Sequence, residues 1–164
     1  MINTFRPCLK ILPGKQQRLL PELVPAGVLG FVLYGGTAIG LRIGHRKSVD
    51  FDFFSERKLD RETIQNSFSF VSRSTVLQDS ADTLSLLVGD DDEAVKVSFF
   101  GGVSFGRVGE PEIAEGLDLP VASLEDLMAT KVRVILQRVE AKDYRDIAAM
   151  IEAEVSHIEW PRGS

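Results

Sequence analysis

Asp50 and Asp52 stand one residue apart within 48–54, where they alternate with Val49, Phe51 and Phe53. A period of two predicts a strand that puts the three apolar side chains on one face and both carboxylates on the other. The two Cα atoms then lie two rises apart, about 6–7 Å. Carboxylates aimed the same way form a ligand pair for Mg²⁺ or Mn²⁺, hard ions that take oxygen donors and keep positions open for substrate phosphates. Such ions serve phosphoryl and nucleotidyl transfer by steadying the attacking and leaving oxygens. The same D-x-D also describes the wet face of a half-exposed strand, so its neighbours decide its meaning.

Gly35-Gly36-Thr37 follows an apolar run and opens a short helical segment. Backbone N–H groups and a hydroxyl at a helix N-terminus are a natural receptor for an anion, and glycine lets a phosphate come close. The alternative is a tight strand-to-helix turn with Thr37 as N-cap. Between this turn and the aspartates lie Arg42, His45, Arg46 and Lys47, a basic patch in an acidic chain. The patch suits a polyphosphate or an RNA end, or else its charges pair with Asp60 or Glu56.

Further along, Leu124, Leu127, Met128, Val132, Ile135 and Val139 recur at helical spacing, and Lys131 and Arg138 fall inside that apolar stripe. Glu125, Asp126, Arg133 and Gln137 fall on the polar side or its flanks. A cation on a buried face costs free energy unless an anion meets it, so Lys131 and Arg138 are candidate phosphate ligands. Snorkelling along the aliphatic stems is the other reading. Asp143 and Asp146 share a helix face with Ile147 and Met150 and so look inward, unless they serve only to cap the helix and offset its dipole. Asp90-Asp91-Asp92-Glu93 reads as an exposed turn.

These residues need a scaffold, and the pattern supplies one. Helices are predicted over 15–23, stopped near Pro25, and over 37–43, broken by Gly44; strands are predicted over 29–34 and 48–54. Asp60 caps a helix over 61–68. An antiparallel meander follows over 70–78, 83–88 and 95–100, with its last turn at 89–93. Residues 101–122 read as a loop with a short strand around 103–108. Ser123, with Asp126 at the capping-box offset, opens a helix to about 139, and a last helix spans 143–155. The fold class is α+β, a small mixed and largely antiparallel sheet flanked by helices, with C-terminal helices. One domain over 1–164 is expected, with a core at about 19–122 and helices at about 123–155.

Apolar residues make up 44% of the 164 residues and charged ones 26%, which fits a folded water-soluble chain. A formal charge of −5 speaks against a general nucleic-acid binder, so any such contact rests on the local basic patch. One cysteine, Cys8, excludes an intrachain disulfide, and two histidines make a zinc cage a poor expectation. A cytoplasmic setting is expected, with no membrane partner, since the apolar runs fall far short of a span.

Gly35-Gly36-Thr37-Ala38, Gly44-His45-Arg46-Lys47-Ser48, Asp50-Phe51-Asp52-Phe53-Phe54-Ser55 and Lys142-Asp143-Tyr144-Arg145-Asp146-Ile147 together resemble the AbiEii/AbiGii toxin family, within the polymerase-beta-like nucleotidyltransferase superfamily, in order and in spacing. The resemblance runs from about residue 19 to 151. It implies a nucleotidyltransferase-like fold, with Gly36 and Thr37 on the triphosphate, Asp50 and Asp52 on divalent metal, Lys131 on nucleotide phosphates and Asp143 as a further essential acid. Gly35, Arg46 and Arg138 join the nucleotide-binding set, and Arg42, Ser48 and Asp146 are additional candidates. The superfamily often places a third metal carboxylate on a later strand, where this chain has Ser98. Asp143 or Asp146 could substitute, or fewer ligands suffice, or the site is catalytically weak.

The resulting expectation is a metal-dependent enzyme of the EC 2.7.7 type that moves an NMP from an NTP to an acceptor, with RNA, protein and small molecules as candidates. The resemblance adds toxin activity restrained by an antitoxin protein. The alternative is a degenerate domain of the same fold that binds a nucleotide, RNA or a protein.

Overall fold

The computed structural model describes residues 2–104, 106–137 and 141–156. Among them run eight strands, β1 (Thr4–Phe5), β2 (Val32–Tyr34), β3 (Phe51–Phe54), β4 (Ser74–Asp79), β5 (Thr83–Val88), β6 (Val95–Phe100), β7 (Glu112–Ala114) and β8 (Leu119–Val121). They form one mixed sheet in the order β1-β7-β8-β2-β3-β6-β5-β4. β4, β5 and β6 are the antiparallel meander; β2 runs antiparallel to β3, whereas β3 and β6 are parallel neighbours. The helices are α1 (Gly14–Leu19), α2 (Pro25–Val28), α3 (Gly35–Ile43), α4 (Arg61–Ser67), α5 (Leu124–Gln137) and α6 (Ala141–Ser156). None of them is long and apolar enough to cross a membrane.

The pleat of β3 and β6 divides the molecule. Phe51, Phe53, Val97 and Phe99 are fully buried on one face. There Phe99 meets Phe31, Phe53 and Phe68 at ring-centroid distances of 5.1, 5.8 and 5.1 Å, an aromatic cluster that anchors the central strands. The alternate residues Asp52, Phe54, Ser98 and Phe100 share the other face, because Asp52 pairs with Ser98 and Phe54 with Phe100 in the ladder.

Several boundaries differ from the pattern, each for a local reason. The D-x-D strand starts at Phe51 rather than 48, since the carbonyls of Val49 and Asp50 accept hydrogen bonds from the side chains of Gln16 and Thr37 rather than from a neighbouring strand. Val49 is thereby half exposed instead of joining Phe51 and Phe53. Pro25 does not end helical structure; it occupies the first turn of α2, where its missing N–H costs nothing. Residues 69–73 form a 3-10 turn before β4 begins. No strand forms at 103–108 among the described residues; β7 and β8 take that role further on, with β7 pairing to the distant β1. Val132 lies exposed and outside the apolar stripe, and Arg138 and Val139 fall outside the described residues.

The capping signals hold. Asp60 accepts from the backbone N–H groups of Glu62 and Thr63 at the start of α4, and Gly44 ends α3 in the left-handed region at φ +64°. Ser123 Oγ accepts from Asp126 N at 3.2 Å and donates to its carboxylate at 2.9 Å. That carboxylate also accepts from Val108 N and Gly109 N, tying the 101–122 loop to the start of α5.

Candidate active site

A cavity of about 410 Å³ opens on the Asp52 face of the sheet, a volume ordinary for a small-molecule site. Asp50 and Asp52 line it from β3 and the residue before it, Gly35 and Gly36 from the start of α3, Arg46 and Lys47 from the following loop, and Lys131 from α5. Phe54, Phe100 and Leu127 give it an apolar side. Sequence reasoning left these three out, although the period-two pattern already set Phe54 on the face of Asp50 and Asp52.

The side-chain carboxylates of Asp50 and Asp52 make no hydrogen bond or ion pair among the described residues. Burial, followed by the like charge of Asp50, pushes the Asp52 carboxyl up to about 6. Two uncommitted carboxylates on one wall are a donor set that fits a divalent cation of the Mg²⁺ kind, which uses one or two carboxylates together with waters and substrate phosphates. Among the described residues the strand beside Asp52 supplies no third acid: Ser98, opposite Asp52, is buried and its hydroxyl is 2.8 Å from that of Ser85. Among the described residues no group of three acidic, histidine or cysteine side chains could hold a metal ion, so Asp143 and Asp146 do not complete such a set.

Both of those acids are fully buried on α6 and meet cations instead. Asp143 Oδ1 accepts from Lys131 Nζ at 2.8 Å, while its Oδ2 is buried without a partner. Asp146 accepts from Arg46 through both guanidinium edge nitrogens, Nε at 2.7 Å and Nη2 at 2.9 Å. It also takes His45 Nε2 at 2.6 Å and Lys131 Nζ at 2.8 Å. His45 therefore pairs with Asp146, not with Asp60 or Glu56. Burial alone would raise the Asp146 carboxyl, but the hydrogen bonds from His45, Arg46 and Lys131 outweigh it and hold the group well below the usual range.

That depressed value fixes a sign. The stability Asp146 contributes is present above the unfolded carboxyl value, about 4, and is lost as pH falls below it toward the folded value. Thermal unfolding followed from neutral pH down to about pH 3 should show this acid loss in the wild type, and Asp146→Asn should show a shallower one.

The glycine pair lines the cavity and also makes room for side chains of the site. A Cβ on Gly35, at φ +78°, would sit 2.8 Å from Asp52 Oδ2. One on Gly36 would collide with Arg46 Nη2 and lie 3.4 Å from Asp146 Oδ2. Side chains of the site itself rest on this turn. Gly36→Ala should leave the fold intact, because only the tip of Arg46 must move, yet cost about 1.5–3 kcal/mol through the weakened pair with Asp146. Chemical denaturation of the two proteins measures this.

Thr37 is neither an N-cap nor a wall of the cavity. It is buried, its hydroxyl donates to the Asp50 carbonyl, and the Ser48 hydroxyl, 2.7 Å away, therefore donates to it. It acts on the site by fixing the backbone that carries Asp50; Ser48 also lines the cavity. Arg42 lies elsewhere: it binds Glu112 at 2.7 Å, the carbonyls of Val121 and Ala122, and the face of Phe5, clamping α3 to the sheet edge. Lys131 is buried in the α5 stripe and does not snorkel; its anions are Asp143 and Asp146.

This fold has solved counterparts among nucleotidyltransferases. A protein from H. pylori assigned as a nucleotidyltransferase superposes with a TM-score of 0.65 at 18% identity, over 88% of this chain and 68% of that one. ANT(2″)-Ia, solved with adenylyl-2″-tobramycin, superposes with a TM-score of 0.53 at 13% identity, over 87% and 90%. The fold is thus of the nucleotidyltransferase class. The family model of the AbiEii nucleotidyl transferase toxin, of type IV toxin–antitoxin systems, matches residues 25–159, and the chain belongs to that family. An uncharacterised protein of Aquifex aeolicus is 34% identical over 142 residues, 85% of this chain, which spans 66% of that relative's length.

Proposed function

We propose that the chain is a metal-dependent nucleotidyltransferase that moves an NMP from an NTP to an acceptor hydroxyl or phosphate. The observation that carries this reading is that the uncommitted carboxylates of Asp50 and Asp52 line one cavity with Arg46 and Lys131. Asp50 and Asp52 would hold Mg²⁺ or Mn²⁺, which when bound supplies charge neutralisation at the α-phosphate and lowers the acceptor's pKa. Arg46 and Lys131, side by side on Asp146, bind the phosphates, and Lys47 and Lys142 also line the cavity. Phe54, Phe100 and Leu127 exclude water on one side, so catalysis is mainly positioning and electrostatics. Asp143 contributes through Lys131 rather than by touching the substrate.

A second cavity, of about 210 Å³, shares Phe54 with the first and is lined also by Tyr34, Arg57 and Arg107, which makes it the place to seek a bound acceptor. RNA, protein and small molecules are the acceptor classes to test. The family supports a toxin role with a cognate antitoxin as partner.

Transfer from each of four α-labelled NTPs to total RNA and total protein, with Mg²⁺ or Mn²⁺, tests this. Label should pass to one class with the wild type and not with the Asp50→Ala, Asp52→Ala double variant. Equal labelling by both proteins, or no NTP binding by the wild type, overturns the reading. The buried Ser98 where a third acid would stand favours one alternative, a domain that binds nucleotide or a partner without turnover; nucleotide binding unaffected by a chelator would support it.

A further inference from the structure

Two of the cations that line the cavity, Arg46 and Lys131, are held by an acid that does not. Asp146 is fully buried on α6 and outside the cavity wall, and its carboxylate receives four donors: His45 Nε2 and Arg46 Nε on Oδ1, Arg46 Nη2 and Lys131 Nζ on Oδ2. A carboxylate offers about four acceptor positions, so none is left for a metal ion. Counting donors is equally informative. Arg46 gives two N–H groups to Asp146 and one, through Nη1, to the Lys47 carbonyl at 3.1 Å, which leaves one on each terminal nitrogen. Lys131 gives one to Asp143 and one to Asp146, which leaves one.

We propose that Asp146 is a positioning residue for nucleotide phosphates: it fixes the Arg46 guanidinium against Gly36 and the Lys131 ammonium on α5, so that their three remaining N–H groups converge on one polyphosphate. This rests on the nucleotide reading above. Two positive side chains and two carboxylates, Asp143 and Asp146, make the cluster close to neutral when His45 is neutral. Net charge therefore does not attract the phosphates; oriented donors do. Arg46 and Lys131 have long side chains with much rotamer freedom to lose, and Asp146 removes it before the ligand arrives. An amide at position 146 keeps the shape but has one oxygen in place of two and turns an NH₂ toward donors it cannot accept from.

The test is a phosphate ladder. The affinities of a nucleoside and its mono-, di- and triphosphate are measured by calorimetry with Mg²⁺ for the wild type, Asp146→Asn and Arg46→Lys, the base being the one whose triphosphate the wild type binds best. Arg46→Lys keeps the charge and loses the two-pronged pair, so it tests the same geometry if Asp146→Asn does not fold. Nucleoside affinity should stay within about twofold, while the gain from nucleoside to triphosphate shrinks about tenfold or more in each folded variant. An equal loss at every step assigns Asp146 a merely structural role and overturns the proposal. So does unchanged or tighter triphosphate binding, the result expected if Asp146 only screened positive charge. A wild type that binds no member of the ladder overturns the nucleotide reading itself, which separates that failure from this one.

Discussion

Replacing Asp50 and Asp52 together by alanine should lower nucleotide transfer by at least about a thousandfold and leave the fold in place. Removing one group that stabilises developing charge typically costs about 10²–10³ in rate, and two groups that serve one site act as a unit, so their losses do not multiply. Stability should stay within about 1 kcal/mol of the wild type, because neither carboxylate holds a hydrogen bond or ion pair among the described residues. Removing the charge that burial penalises at Asp52, together with its like-charged neighbour, offsets the small packing loss. Initial rates of α-label incorporation, with thermal unfolding of both proteins, measure the two halves. A rate within tenfold of the wild type would show that the chemistry lies elsewhere.

Lys131→Met should have the opposite profile, a large stability loss together with loss of activity. Lys131 is 7% exposed and is the partner of Asp143, whose second oxygen has none. Methionine fills much of the volume but leaves Asp143 buried, charged and unpaired, a situation that costs about 3–5 kcal/mol. Asp146 suffers less, since His45 and Arg46 remain on it. The double variant Lys131→Met, Asp143→Asn removes the stranded charge and should recover most of that stability without recovering transfer. Denaturant unfolding of the two singles and the double gives the coupling directly. Additive losses would mean that the pair is not the unit the geometry makes it.

The part of the site legible in the sequence was the part written at short range. Asp50 and Asp52 needed only the two-residue period, Gly44 and Asp60 only their local chemistry, and Lys131, Asp143 and Asp146 only helical spacing that turned charged groups inward. Each of these is a statement about one element, and the backbone repeat enforces it. For Thr37 and Arg42 the sequence could not show the partners: a hydroxyl or a guanidinium near a glycine turn looks like a ligand for whatever that turn binds. Where its hydrogen bonds go depends on carbonyls brought near by other segments, Asp50 for Thr37 and Val121 and Ala122 for Arg42. The strand at Glu112–Ala114 was hidden similarly, since its partner at Thr4–Phe5 is more than a hundred residues away.

By itself, the sequence determined that Lys131, Asp143 and Asp146 face inward and which strand carries the acids, because backbone periodicity sorts residues onto faces within one element. It also carried the motif order that marks the family. Only the tertiary structure decided how the charges are divided. Asp50 and Asp52 stay uncommitted on one wall, whereas Asp143 and Asp146, of the same residue type and equally inward, are consumed by Lys131, Arg46 and His45. Burial makes each charge seek its nearest counter-charge, and which one is nearest is a property of packing among α3, α5 and α6 rather than of spacing along the chain.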